Sequence, residues 1–334
     1  MSDLIRKAAV PSDAYRNPVL ENVSIAAYQD ATDFVARAVF PTVPSDDQAG
    51  YYYEIDTNGI AADKAASRAP GGTAREGTWD LSKTAFLCVQ YGYREKLPEE
   101  LVKSAGAAAN AEAISAAAVA EVMMISAEAR FAAAYFVTSK WARDIAGAAT
   151  NVADTSYIYW STGATSTPIN DIYNERIIMK KAGKRFPNTM VIGAAVLPIL
   201  LTHPTIVARL VNGQRPGAAA MATLDDLAKI FMMDRVLVAN AVKNTANEPA
   251  TASNSFILDS KSIWMGYVNP TPAVQQPSAG YRFAWSGIAG NSMGVRNWKY
   301  WDQPSRSTYV EGACDDTYKL VSSKLGTFFP GIIA

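Results

Sequence analysis

The sequence predicts an α+β fold. Three observations carry that prediction. Residues 98–141 hold one long alanine-rich helical pattern. The middle of the chain alternates short strand and helix patterns. The stretches 48–97 and 281–325 read as strands set apart from those helices. With 334 residues, the chain has room for two domains and a sizeable core. Hydrophobic residues make up 49% and charged residues 19%, which marks a globular chain. The formal net charge is zero, so nothing in the balance points to a dedicated nucleic-acid or membrane binder.

Residues 1–47 read as an arm. Pro11, Pro18, Pro41 and Pro44 cut it into short pieces, and in 24–40 Ala27, Phe34 and Ala38 mark one short helix face. Such an arm has too little apolar surface to stand alone and must lie on something. The start, MSDLIRKAAVPSD, lacks the apolar run of a signal peptide, so the expectation is a cytoplasmic product.

Next comes QAGYYYEID, residues 48–56. Alternation places Tyr51, Tyr53 and Ile55 on one strand face and Tyr52, Glu54 and Asp56 on the other. The partner strand lies in 81–98. Between them, 57–78 is polar and small, with Lys64, Arg68, Arg75 and Glu76, and Ile60 is its one sizeable apolar residue. Loops this long without structure of their own are uncommon in compact domains. This one has little to pack against on its own chain, and a partner subunit would order it.

Pro98, followed by Glu99 and Glu100, starts the long helix. Ile114, Ala118, Val122, Ile125, Ala129, Ala132 and Phe136 mark its predicted apolar face. If continuous it would run ~65 Å, with Gly106 as a candidate break. Its Glu112, Glu121, Glu128 and Arg130 exclude a membrane span.

Thr167 and Pro168 open the next helix, with Ile169, Ile172, Tyr173 and Ile177 on its apolar face and an end near Gly183. A buried strand at 190–192 follows, then a helical stretch 195–210 broken at Pro198 and Pro204. Thr223 and Asp226 form a capping box for a helix over 224–231. Strands are predicted at 235–242, 255–259 and 262–268. After the proline-rich 269–280 come strands at 281–285, 295–301, 307–312 and 317–323. Tyr281, Phe283 and Trp285 share one face, Trp298 and Tyr300 another. These late strands need an apolar partner, and the long helix is the obvious one. The glycines of GIAGNSMG, 287–294, read as a hairpin connection.

Chemistry is sparse. The single histidine, His203, reads as a polar turn residue at a helix break. Cys88 and Cys314 read as reduced, semi-buried thiols. No zinc spacing, phosphate loop or nucleophile elbow is present. Lys180, Lys181, Lys184 and Arg185 fit cations at a helix C-terminus, and also a phosphate contact. The aromatic strands fit sheet packing better than stacking on single-stranded DNA, given the zero net charge. No cofactor and no catalytic residue is expected.

The stretches 39-VFPTVPSDDQAGYYYEID-56, 91-YGYREKLPEEL-101, 186-FPNTMVIGAAVLPIL-200 and 263-IWMGYVNPTPAVQQPSAGYRFAW-285 follow one another in an unusual order. Arm, hairpin, long helix, small α/β domain and late strands closely resemble the major capsid proteins of tailed double-stranded DNA bacteriophages, over nearly the whole chain. The resemblance implies an N-terminal arm (1–47), an extended E-loop hairpin (48–97), a spine helix in the P domain (98–165), an A domain (166–280), further P-domain strands (281–325) and a C-terminal tail (326–334). It implies a non-enzymatic virion protein that assembles as hexamers and pentamers into an icosahedral shell, made in the host cytoplasm. The arm and the E-loop, with Tyr51, Tyr53, Lys64, Arg68, Arg75 and Glu76 as contact candidates, would reach neighbouring subunits. The implied partners are the chain itself, a scaffolding protein, a portal, a decoration protein and packaged DNA. That DNA would be met without sequence reading, with Lys180, Lys181, Lys184 and Arg185 as candidates to face it. Only 50 residues precede Tyr51, so the scaffold is expected to be a separate protein. Some relatives cross-link a loop lysine to a neighbour's asparagine with help from a glutamate. Lys64, Asn291, Asn297 and Glu311 are the residues available here. Two other readings are a compartment shell like the encapsulins, and a ligand-binding or enzymatic α/β protein built on the middle region.

Overall fold

A computed structural model describes residues 29–55, 63, 65–76, 81–104, 108–163, 165–211, 222–246, 251–272, 277–287 and 295–334. Lys64, Gly106, Asn291 and residues 1–28 of the expected arm lie outside the described residues, as do Asp56, Ile60 and residues 77–80.

The elements run in this order. Short helix α1 spans Ala36–Val39. Strands β1 (Thr42–Ser45), β2 (Ala49–Ile55), β3 (Leu81–Leu87) and β4 (Val89–Pro98) follow. Helices α2 (Glu99–Ser104) and α3 (Ala108–Tyr135) lead to short strands β5 (Arg143–Asp144), β6 (Ala146–Ala148) and β7 (Ser156–Ile158). Then come α4 (Pro168–Gly183), β8 (Thr189–Gly193), α5 (Val196–Thr202), α6 (Pro204–Val211), α7 (Leu224–Phe231), β9 (Arg235–Ala239), β10 (Val242–Asn244), β11 (Asn254–Phe256) and β12 (Ile263–Gly266). The last strands are β13 (Gly280–Trp285), β14 (Val295–Asp302), β15 (Ser307–Leu320) and β16 (Gly326–Phe329).

Two five-stranded sheets organise the molecule. In the first, β1 pairs parallel with β13, and β13, β14 and β4 all pair antiparallel with β15. Helix α3 packs across β15 and β4. The expected pairing of the long helix with the late strands is therefore present, but two of its details differ. The helix's described parts are Glu99–Ser104 and the 28 residues of Ala108–Tyr135, ~42 Å long, and it ends at Tyr135 rather than near Trp141; the candidate break at Gly106 lies outside the described residues. Its buried stripe is Ser115, Val119, Met123, Ala127 and Phe131; of the expected face, Ile114 and Val122 are exposed, Ile125, Ala129 and Ala132 are half-buried against the core, and Phe136 is buried just past the helix end. An alanine-rich helix is weakly apolar all round, so its sequence barely distinguishes one stripe from the next.

The second sheet has the order β5-β16-β12-β8-β9. It is covered on both sides. Met190, Ile192, Ile263, Met265 and Phe329 face a core shared with α4 to α7. Val191, Trp264 and Phe328 face the other way, toward Phe40, Phe131, Phe136 and Trp141. Strands buried on both faces read as continuous apolar runs, as in TMVIG of β8, every residue of which is buried. The segment 326–334, expected as a tail, supplies β16 between β5 and β12, with Ile332 and Ile333 buried beside it.

The arm is a core element of its own subunit from residue 29 onward. Val35, Ala36, Val39 and Phe40 are buried, whereas Phe34 and Ala38, the predicted face, are half-buried. Phe40 sits among Phe131, Tyr135, Trp141 and Tyr318, with ring centroids 4.8–6.4 Å apart. Glu128 of α3 is only 1% exposed. Its carboxylate accepts the backbone N–H groups of Val35 and Ala36 at 3.1 and 2.9 Å, capping the start of α1. Burial pushes its pKa up to about 7, partly countered by those two bonds.

Further differences follow from tertiary pairing. The stretch 235–242 splits into β9 and β10 at Asn240–Ala241, because β9 belongs to the second sheet and β10 to a hairpin with β11. The stretches 307–312 and 317–323 form the single strand β15. Its N-terminal part pairs with β14 and its C-terminal part with β13. Strands β13 and β14, which GIAGNSMG joins, therefore both pair with β15 and not with each other; residues 288–294 lie outside the described residues. Pro198 lies inside the first turn of α5, where its missing N–H costs nothing, and the break falls at Pro204 alone. Ile177, placed on the apolar face of α4, is exposed.

Candidate intersubunit surface

Strands β2 and β3 form a two-stranded ribbon with Tyr51 opposite Ala85, Tyr52 opposite Thr84 and Tyr53 opposite Lys83. Alternation gives the ribbon two unlike faces. The inner face carries Tyr52 and Phe86, which pack on Tyr281 and Phe283 of β13. The outer face carries Tyr51, 69% exposed, and Tyr53, 54% exposed, with Leu87 at the same face's base. Lys83 stands 5.6 Å from the Tyr53 ring centroid. The sequence reading separated these faces correctly, but it missed Leu87 and Val89 as exposed apolar residues. Their signal was the alternation in LSKTAFLCV, which places Leu87 opposite Phe86's side.

Beyond the ribbon, every described residue from 65 to 76 is exposed, including Arg68, Arg75 and Glu76. What order is visible is local. Arg68 donates to the Gly72 carbonyl at 2.9 Å, Gly72 N–H donates to the Ala69 carbonyl, and Gly71 takes φ 81°, which glycine tolerates best.

The basic cluster lies elsewhere, at the end of α4. Lys180 Nζ donates to the Lys184 carbonyl at 2.9 Å, and Lys184 Nζ to the Lys181 carbonyl at 3.1 Å. Lys180 also lies 5.1 Å from the Phe186 ring, and Arg185 5.7 Å from Tyr267. Cations here neutralise the negative end of the helix and its orphan carbonyls. All four residues are exposed.

Asn297 and Glu311 are not brought together. Asn297 pairs with Gly312 and Trp298 with Glu311, so Asn297 and Glu311 project from opposite faces of the sheet. Glu311 accepts a hydrogen bond from Tyr300 at 3.2 Å.

His203 is buried between α5 and α6. Its Nε2 is 2.9 Å from Ser166 Oγ, which itself donates to the Thr162 carbonyl. Its Nδ1 accepts the Thr205 N–H at 3.3 Å and lies 2.8 Å from Thr205 Oγ1. A neutral ring protonated on Nε2 meets all of these partners, and burial lowers its pKa. The ring caps α6 and has no open side for a substrate. A shallow hollow beside it is lined by Thr167, Ile169, Asn170, Thr205, Ala208 and Arg209, without carboxylate, histidine or cysteine. Cys88 and Cys314 are free and buried. Among the described residues, no group of three histidine, cysteine or acidic side chains could hold a metal ion, and no helix is long and apolar enough to cross a membrane.

No family model matches the chain, and no curated protein matches it in sequence. Its fold does match solved structures. It is similar to a phage-related protein from Bordetella bronchiseptica RB50, with 21% identity, 91% of this chain and 94% of that one covered, and a TM-score of 0.67. It is similar to the capsid of the cyanophage P-SCSP1u, with 12% identity, coverage of 93% and 91%, and a TM-score of 0.57. It is also similar to the capsid of a native GTA particle, with 12% identity, coverage of 98% of both chains, and a TM-score of 0.55. These matches cover more than nine-tenths of the chain, so the chain has the α+β fold of phage major capsid proteins.

Proposed function

We propose that this chain is a structural virion protein, the major capsid protein of a tailed phage. It assembles as hexamers and pentamers into an icosahedral shell around double-stranded DNA, and performs no catalysis. The observation that carries this reading is the unlike pair of ribbon faces. The inner face seats the ribbon on its own subunit. The outer face leaves two tyrosines more than half exposed, followed by a loop whose described residues touch solvent throughout. Burying each ring on a neighbouring copy gains about 1.5–3 kcal/mol. One such contact does not hold two subunits against their lost freedom of motion. A closed shell repeats it for every copy, so weak contacts sum to a stable particle.

A scaffolding protein, a portal, a decoration protein and assembly in the host cytoplasm belong to the same reading. The exposed cluster at the end of α4 is the candidate DNA-facing surface. Lys180 and Lys184 each spend one of three ammonium donors on a carbonyl, so all four cations keep donors to offer.

The test is to express the full chain and examine it by sedimentation and negative-stain microscopy. Closed particles, or rings of five and six subunits, are expected. A stable monomer at micromolar concentration would overturn the reading. Nucleic acid inside the particles supports a phage capsid, and a protein cargo inside them supports a compartment shell instead.

A further inference from the structure

Among the described residues, the ribbon packs on its own subunit through one aromatic cluster. Phe283 of β13 stacks on Phe86 with centroids 4.3 Å apart and planes 9° apart, and on Tyr52 at 5.5 Å and 28°. Tyr52 donates its hydroxyl to the Leu320 carbonyl at 2.9 Å. The base is closed by Cys88 N–H to the Gln48 carbonyl at 2.8 Å, and Cys88 Sγ lies 3.6 Å from the Phe283 carbonyl. Gly50 belongs to the same seat. A Cβ there would come within 2.9 Å of the Phe86 ring, so only glycine lets that ring lie flat on Phe283. A two-stranded ribbon alone is marginally stable in water. Its direction is therefore set by what its root packs on.

We infer that the Tyr52–Phe283–Phe86 stack is a positioning element that fixes the angle of the ribbon, and through it the curvature and uniform size of the assembled shell. This rests on the shell reading above. The lever arm makes the angle matter. Strand β2 has seven residues, ~23 Å at ~3.3 Å per residue. A tilt of about 10° at the root moves its far end by about 4 Å, more than the length of a hydrogen bond. Neighbours met at a drifting angle close into particles of mixed diameter.

The angle can be read directly on the unassembled full chain. Spin labels at Lys83→Cys on the ribbon and Gln303→Cys on the body report the distance between them by pulsed electron resonance. The native thiols do not compete for the label, since Cys88 and Cys314 are both buried and burial raises the pKa of each. One narrow distance distribution is expected in the parent chain, a broadened one in Phe283→Ala, and a narrow one again in Phe283→Tyr, which keeps the ring. Where the parent chain forms shells, Phe283→Ala is expected to lose the single diameter class and Phe283→Tyr to keep it. A broad distribution in the parent, or an unchanged one in Phe283→Ala, overturns the inference. Should Phe283→Ala fail to fold, Gly50→Val pushes on the Phe86 ring from the ribbon side, and an unshifted mean distance there overturns it equally. Failure of the parent chain to form any particle counts against the shell reading alone, because the distance measurement needs no assembly.

Discussion

The ribbon and the second sheet are both made of extended backbone, yet they solve opposite problems. In β8 and β12 every residue is buried, between helices on one side and the arm and α3 on the other. In β2 the tyrosines alternate between a seat on the same subunit and open solvent. The sheet spends its apolar surface at home. The ribbon holds part of it back. On the proposed shell function, both kinds of strand are needed, one to hold the subunit together and one to meet its neighbours. The difference predicts that stability and assembly respond to separate residues.

The largest effect on folding is expected at Phe40. Phe40→Ala empties the aromatic nest that joins the arm to both sheets, and should cost roughly 3–5 kcal/mol in urea unfolding. A loss below about 1 kcal/mol would mean that the arm is not part of the core. Glu128 comes next. Its folded pKa, about 7, lies above the ordinary 4.5, so the folded chain binds more protons than the unfolded one between those values. Stability is therefore expected to fall as pH rises from about 5 to 7 and to level off above, by about 3 kcal/mol from this group. Glu128→Gln should flatten that slope in urea midpoints measured across the range. A slope unchanged by the substitution would assign it to other groups. Thr223→Ala removes the capping box of α7, in which Asp226 N–H donates to Thr223 Oγ1 at 3.3 Å, and should cost about 1 kcal/mol. The smallest effect on folding is expected from the double change Tyr51→Ser with Tyr53→Ser, within about 0.5 kcal/mol. Sedimentation of that variant should nonetheless show assembly lost. Wild-type assembly in it would move the contact surface elsewhere on the molecule.

Much of this contrast was legible before the structure. Period-two alternation separated Tyr52 from Tyr51 and Tyr53. The run MVI marked a doubly buried strand, and the Thr223–Asp226 spacing marked a helix start. What escaped has one physical cause: local pattern does not encode long-range pairing. Nothing near 326–329 says that GTFF slots between strands from residues 143 and 263. Nothing in GIAGNSMG says that β13 and β14 share β15 as a neighbour. The α3 stripe is only partly legible because alanine makes every face similar, and nothing in the sequence near Glu128 announces the arm's N–H groups that meet it. The stack at the ribbon root was half visible. Alternation puts Tyr281, Phe283 and Trp285 on one face, but nothing in it points to Phe86 rather than the long helix as their partner.

The placement of β16 has a consequence for timing. Gly266 pairs with Gly326, and Arg143 with Thr327. The middle of the second sheet stays open until a segment about 60 positions downstream of β12 has left the ribosome. Closing contacts across so much chain is slow. Translation thus acts as a clock: a nascent copy cannot complete its second sheet while that segment is still in the exit tunnel.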